Sequence, residues 1–206
     1  MKSLKFLMLL LLCSFFIMDL FAQDSETCYG IGVNFAKDFV YANVGEDFSI
    51  VSLPYDFSNF SVIIRGEKYR VEPSCGYFRL SSSYSGPSSS SEYTSSNWRL
   101  GLSLASNSTT GSMHHYYGIS VGFIFSSISG EYSSEFFSDK EDDSKTDFFI
   151  GPVLGGEYNF SEYLSLGGEV QINYISLGQY DHDSDEDISV WAITTRAIIV
   201  LRWYFK

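Results

Sequence analysis

After its first two dozen residues the chain has no run of about 20 apolar residues, so no helix is expected to cross a membrane. It is also short of positive charge. Thirteen Lys and Arg face 25 Asp and Glu, for a net charge of −12. Nucleic acid would repel such a surface and is excluded as a partner. Cysteine is scarce. Of the three, Cys13 lies in the N-terminal apolar stretch, which leaves Cys28 and Cys75. Two cysteines that far apart do not define a disulfide scaffold.

What the N-terminus does have is a leader pattern. Lys2 and Lys5 give a basic start, Leu7 to Met18 a short apolar core, and Ala22 a small residue before a cut. Residues 1–22 are therefore expected to be a secretory signal peptide, cleaved after Ala22, and residues 23–206 one domain. Leu12 precedes Cys13 where a lipoprotein site needs a small residue, so lipidation is not expected. Removing the leader takes Lys2, Lys5 and Asp19 with it and moves the net charge to about −13. Export makes a disulfide chemically permissible.

The mature chain alternates with a period of two, the signature of strands with unlike faces. The last stretch is the clearest. Trp191, Ile193, Thr195, Ala197, Ile199, Leu201, Trp203 and Phe205 share one face; Ala192, Thr194, Arg196, Ile198, Val200, Arg202 and Tyr204 share the other. The tryptophans stand about 12 residues apart, roughly 40 Å along a strand and under 30 Å when tilted by ~45°. That is close to the apolar band of a membrane barrel.

Eight such segments are expected: 28–36, 59–65, 69–82, 98–105, 113–127, 147–159, 164–177 and 188–206. A bulge is expected to absorb Pro73, which removes a ladder bond. The connections alternate long and short. The long ones are 37–57, 83–96, 128–146 and 179–187. An even strand count, short periplasmic turns and long outer loops describe an all-β, transmembrane, eight-stranded antiparallel up-and-down β-barrel. Cys28 and Cys75 fall on strands one and three, with strand two between them, and are expected to remain unbonded.

Three segments carry a family resemblance: YRVEPSCGYFRLS at 69–81, GPVLGGEYNFSEYLSLGGEVQINY at 151–174 and RAIIVLRWYF at 196–205. They resemble the small eight-stranded outer-membrane proteins of the OmpA/OmpX type, from about residue 29 onward. The resemblance implies an integral barrel of a Gram-negative outer membrane, in contact with its lipids. It also implies that the insertion machinery reads the C-terminal strand, which often ends on an aromatic residue. Here Lys206 follows Phe205.

Candidate chemistry is thin. Gly118-Ile119-Ser120-Val121-Gly122 matches the GxSxG hydrolase pattern but lies within an alternating strand, not on a strand-to-helix elbow. His114 and His115 are adjacent on a strand, so they point to opposite faces and cannot chelate one ion. Asp181 to Asp187 has the acid spacing of a calcium loop without its glycine and distant glutamate. A solvated acidic loop is the expectation there, with weak divalent-cation binding as the alternative. No catalytic, cofactor-binding or metal-ligating residue is assigned.

The inward face is more informative. Arg70, Arg99, Arg196 and Arg202 are expected there with Glu72, Glu157 and Glu169, beside Tyr116, Gln171, Asn173 and Tyr204. An eight-stranded interior is just filled by side chains, so these charges should pair and close the lumen. The reading is a monomeric, non-enzymatic barrel for envelope stability or surface contact. The rivals are a lipid-modifying barrel enzyme and a soluble barrel that holds a ligand.

Overall fold

The computed structural model describes residues 27–44, 47–51, 56–85, 89–134, 138–177 and 190–205. The leader and the acidic stretch Asp181–Asp187 lie outside the described residues, as does Lys206. Among the described residues every regular element is a strand: β1 Cys28–Val44, β2 Asp47–Val51, β3 Asp56–Arg65, β4 Tyr69–Ser85, β5 Ser89–Thr110, β6 Met113–Ser134, β7 Ser138–Asn159, β8 Leu164–Leu177 and β9 Val190–Phe205.

β1 pairs antiparallel with β2 and with β3, each strand from β3 onward pairs antiparallel with the next, and β1 closes the ring on β9. The upper end of β1 pairs with β9 on one side and with β2 on the other. β2 therefore continues the stave of β3, and the ring has eight staves. The expected strand count holds.

The register fixes the shape. From Val33 the paired residues run Phe60, Cys75, Leu100, Phe123, Phe148, Ser176 and Trp191. Trp191 then pairs with Asn43. The circuit returns to β1 ten residues above its start, from 33 to 43. Eight strands with that stagger imply a tilt of about 43° and a backbone radius on the order of 8 Å.

Alternation turns the barrel inside out relative to a soluble protein. Phe60 is 70% exposed, Leu154 66% and Ile199 60%, while Arg202 is 0% and Glu157 1% exposed. Aromatic pairs ring the upper edge of the apolar band: Tyr77–Trp98 at 4.6 Å, Phe123–Phe148 at 5.5 Å and Tyr174–Trp191 at 6.2 Å between centroids. Tyr158–Phe160 at 5.2 Å, with exposed Tyr69, Tyr163 and Trp203, marks the lower edge. From Phe148 to Tyr158 a tilted strand descends about 24 Å, against a membrane-barrel band of about 25 Å.

Two expectations need correction. The segments 37–57, 83–96 and 128–146 are not simply long loops. Residues 37–44, 83–85, 89–96, 128–134 and 138–146 are paired strand. In 83–85 and 142–144, above the aromatic edge, residues on both faces are exposed, so the polar–apolar period that marks a strand disappears. Nor is there a bulge at Pro73. Ser61 pairs with Ser74, and Ile64 with Val71, so the register is the same on both sides of it. Proline removes a donor without inserting a residue, and the ladder lapses and resumes. Pro152 lies in a matching gap of the β7–β8 ladder, between Ile150–Tyr174 and Val153–Gln171.

Short turns close the lower end. Gly111 takes a φ of 62° between β5 and β6, a conformation glycine adopts without a side-chain clash. Cys28 and Cys75 are not joined to each other, as their strands require.

Candidate functional site

Among the described residues the lumen is where chemistry-bearing side chains converge. All seven charged residues expected on the inward face are found there, each at least nine-tenths buried. They form two tiers.

The lower tier is organised by Glu157 on β7. Tyr204 donates its hydroxyl to Oε1 at 2.7 Å, and Ser165 donates to Oε2 at 3.0 Å. Three guanidiniums reach the same carboxylate: Arg65 at 3.0 Å, Arg70 at 3.3 Å and Arg202 at 3.0 Å. Charge-assisted bonds of this kind are the strong ones. Glu72 sits two residues along β4 from Arg70, on the same face, and takes its Nη2 at 2.6 Å and that of Arg202 at 3.0 Å. Glu169 accepts from Tyr116 at 2.9 Å and from Gln171 at 2.6 Å. The Tyr116 hydroxyl in turn accepts from Arg202 Nη2 at 3.1 Å.

Aromatic faces cover what the carboxylates leave. Arg65 stacks over Tyr204 at 4.1 Å and Arg70 over Tyr116 at 4.3 Å from the ring centroid. Together these groups join β3, β4, β6, β7, β8 and β9 through one network across the barrel. Removing one partner of a buried pair typically costs about 3–5 kcal/mol.

The upper tier is sparser. Arg196 Nε lies 3.3 Å from Asp38 Oδ1. Arg99 stacks over Phe149 at 3.8 Å. Above them Lys145 pairs with Asp147 at 3.3 Å. Between the tiers the space open to the centre of a water-sized sphere is only about 10 Å³. That is room for about one water.

Sequence reading missed two members. Arg65 ends the expected strand 59–65 without being counted among the inward charges, and Asp38 falls in the expected loop 37–57. Asp38 in fact continues the inward row Asn34, Ala36, Asp38, and that spacing could have found it.

The other candidates are placed as follows. Ser120 is 3% exposed on the lumen wall, with Gly118 and Gly122 on the same face. A β-carbon on Gly118 would lie 1.9 Å from the Leu104 carbonyl oxygen, and one on Gly122 2.0 Å from that of Leu100. Close backbone approach therefore accounts for the glycines of the GxSxG match. His114 points inward, with ring nitrogens 2.8 Å from Thr109 Oγ1 and 2.8 Å from Asn159 Nδ2. His115 lies on the outward face, exposed. The two do not face a common site.

Outside, β4 to β7 rise past the aromatic edge as a Ser-rich sheet. Among the described residues β3 pairs with β4 up to Asn59–Gly76, and β7 with β8 up to Phe148–Ser176.

No protein-family model and no curated protein matches the chain. Among solved structures it is similar to Neisserial surface protein A, at 14% identity over 86% of this chain and 97% of that one, with a TM-score of 0.48. It is also similar to Ail, the attachment invasion locus protein of Yersinia pestis, solved with the heparin analogue sucrose octasulfate: 14% identity, 87% and 99% coverage, TM-score 0.48. A third is the N-terminal β-barrel domain of Pseudomonas aeruginosa OprF, at 14% identity, 87% and 98% coverage and a TM-score of 0.42. These likenesses concern the fold.

Proposed function

We propose that this chain is an integral outer-membrane barrel with a closed lumen, acting in envelope stability and surface contact and carrying out no catalysis. The observation that carries the reading is the inversion of polarity. Ile, Leu and Phe face outward in a band bounded by aromatic rows, while arginine and glutamate are buried inside. Soluble proteins rarely expose contiguous apolar patches above a few hundred Å². Within hydrocarbon a closed β-barrel satisfies every backbone group, and one aromatic row at each interface is the expected finish.

The surface for contact is the sheet raised by β4 to β7. Tyr84, 65% exposed, and Tyr93, 43% exposed, stand on it among serines and offer rings and hydroxyls to a partner. The ion network below it gives the sheet a stiff base. The barrel acts as a monomer, since its ring closes on itself and leaves no stave to share.

Cell fractionation tests the reading. The native protein should enter the outer-membrane fraction and resist carbonate extraction. Recovery in the soluble fraction, or partition into buffer away from detergent, would sink it.

A further inference from the structure

We propose that the upper lumen holds one small monovalent anion, of the size of chloride, against Arg99. The argument begins with a charge imbalance. Among the described residues at and below Asp38, five guanidiniums face the lumen: Arg65, Arg70, Arg99, Arg196 and Arg202. Four carboxylates face them: Asp38, Glu72, Glu157 and Glu169. Lys145 and Asp147, higher up, neutralise each other. One positive charge is left over.

The surplus has a location. Arg65, Arg70 and Arg202 each lie within 3.3 Å of Glu157, and Arg196 lies 3.3 Å from Asp38. Arg99 is only 4% exposed and has no carboxylate within ion-pair distance among the described residues. Its Nη2 has no hydrogen-bond partner, and its guanidinium rests on the Phe149 ring at 3.8 Å. A cation–π contact is worth on the order of 2 kcal/mol when desolvated. An unpaired buried charge costs more than that. Arginine does not escape by losing its proton, because its affinity for it is too high.

A cavity is present at the same place. Arg99 and Arg196 line it, with hydroxyl donors from Ser74, Ser103 and Ser120. Its volume, about 10 Å³ for water-sized centres, admits one water-sized sphere and nothing polyatomic, so a chloride enters only as the lining hydroxyls give slightly. Glu72 and Glu169 touch the cavity, but their oxygens are engaged with Arg70, Arg202, Tyr116 and Gln171. The unpartnered amide oxygens of Asn34, Asn59 and Gln171 also line it, but they are neutral and leave the Arg99 charge uncompensated. A water there would satisfy hydrogen bonds and leave the charge. A halide does both.

Bromide, which scatters anomalously, is the probe. Mature protein refolded and crystallised in bromide should show one anomalous peak within about 3.5 Å of the Arg99 guanidinium, a hydrogen-bond-like distance. The same preparation of Arg99→Gln should show none. An absent peak in the wild type overturns the proposal, as does a peak that persists in the variant.

Linkage supplies a readout that survives if Arg99→Gln fails to fold. Equilibrium urea unfolding is measured as chloride replaces gluconate at constant ionic strength. One bound ion raises the folded-to-unfolded ratio by a factor approaching ten for each tenfold rise in chloride above the dissociation constant. A wild-type ratio that does not respond to chloride overturns the proposal.

Discussion

The ring of Tyr116 occupies the space where a β-carbon on Gly155 would stand, 2.3 Å from Tyr116 Cζ. The ring cannot step aside. Its hydroxyl lies between Glu169 and Arg202, and Arg70 stacks on its face. The next residue differs. A β-carbon on Gly156 points out of the barrel and meets nothing nearer than His115 Nδ1 at 3.4 Å.

Gly155→Val is therefore expected to lose about 1–3 kcal/mol through overpacking, while Gly156→Val stays close to wild type. Urea unfolding of the refolded barrels, followed by gel mobility without boiling, compares the neighbours. Equal losses at both would show that Tyr116 does not fill the space described.

Glu157→Gln keeps the size of the side chain and removes the charge that three arginines share. Its expected cost is about 3–5 kcal/mol. Arg65→Ala should cost less, because Arg65 retains 12% side-chain exposure and lies at the lower mouth, where water replaces its partner. The urea midpoints of the two variants check the order. If Arg65→Ala is the worse, Glu157 is not the centre of the lower tier.

Topology follows from the two ends of the barrel. A peptide tag placed between Ser134 and Ser138 should be labelled on intact cells. A tag placed at Gly111, in a short turn at the opposite end, should be labelled only after lysis. The reverse result would turn the barrel over.

The lumen should not conduct. Space for about one water between two tiers of paired charge leaves no continuous path. Planar-bilayer recordings of refolded mature protein should lack steady, stepwise conductance of porin size. Such steps in the wild type would mean that the paired lumen is open.

How much of this was legible in the chain depends on what each face of a strand touches. Residues 191–205 and 164–174 announce themselves because one face meets apolar surroundings and the other a polar interior. Residues 83–85 and 142–144 do not, because both of their faces are exposed and serine serves equally on either. The inward set Arg70, Glu72, Arg99, Glu157, Glu169, Arg196 and Arg202 followed from parity alone. Which arginine meets which glutamate did not. Arg202 finds Glu72 although 130 residues separate them, and that meeting depends on the ten-residue stagger of the ring, which no local pattern encodes. Arg65 stands at the very end of its strand, beside Gly66 and Lys68, where parity gives little warning that its side chain takes part in the lumen.

The seam between β1 and β9 runs from Tyr29 opposite Phe205 to Asn43 opposite Trp191. The first strand to leave the ribosome thus has to wait for the last. Until residue 205 exists, β1 has one bare flank and the ring cannot shut. Contacts this distant in sequence make for slow folding. The chain must therefore travel unfolded, with its apolar rows exposed, and needs an escort that keeps it from aggregating before closure. A truncation of even the final strand should not yield a smaller barrel. It should yield an open sheet with nowhere to go, a substrate for proteolysis.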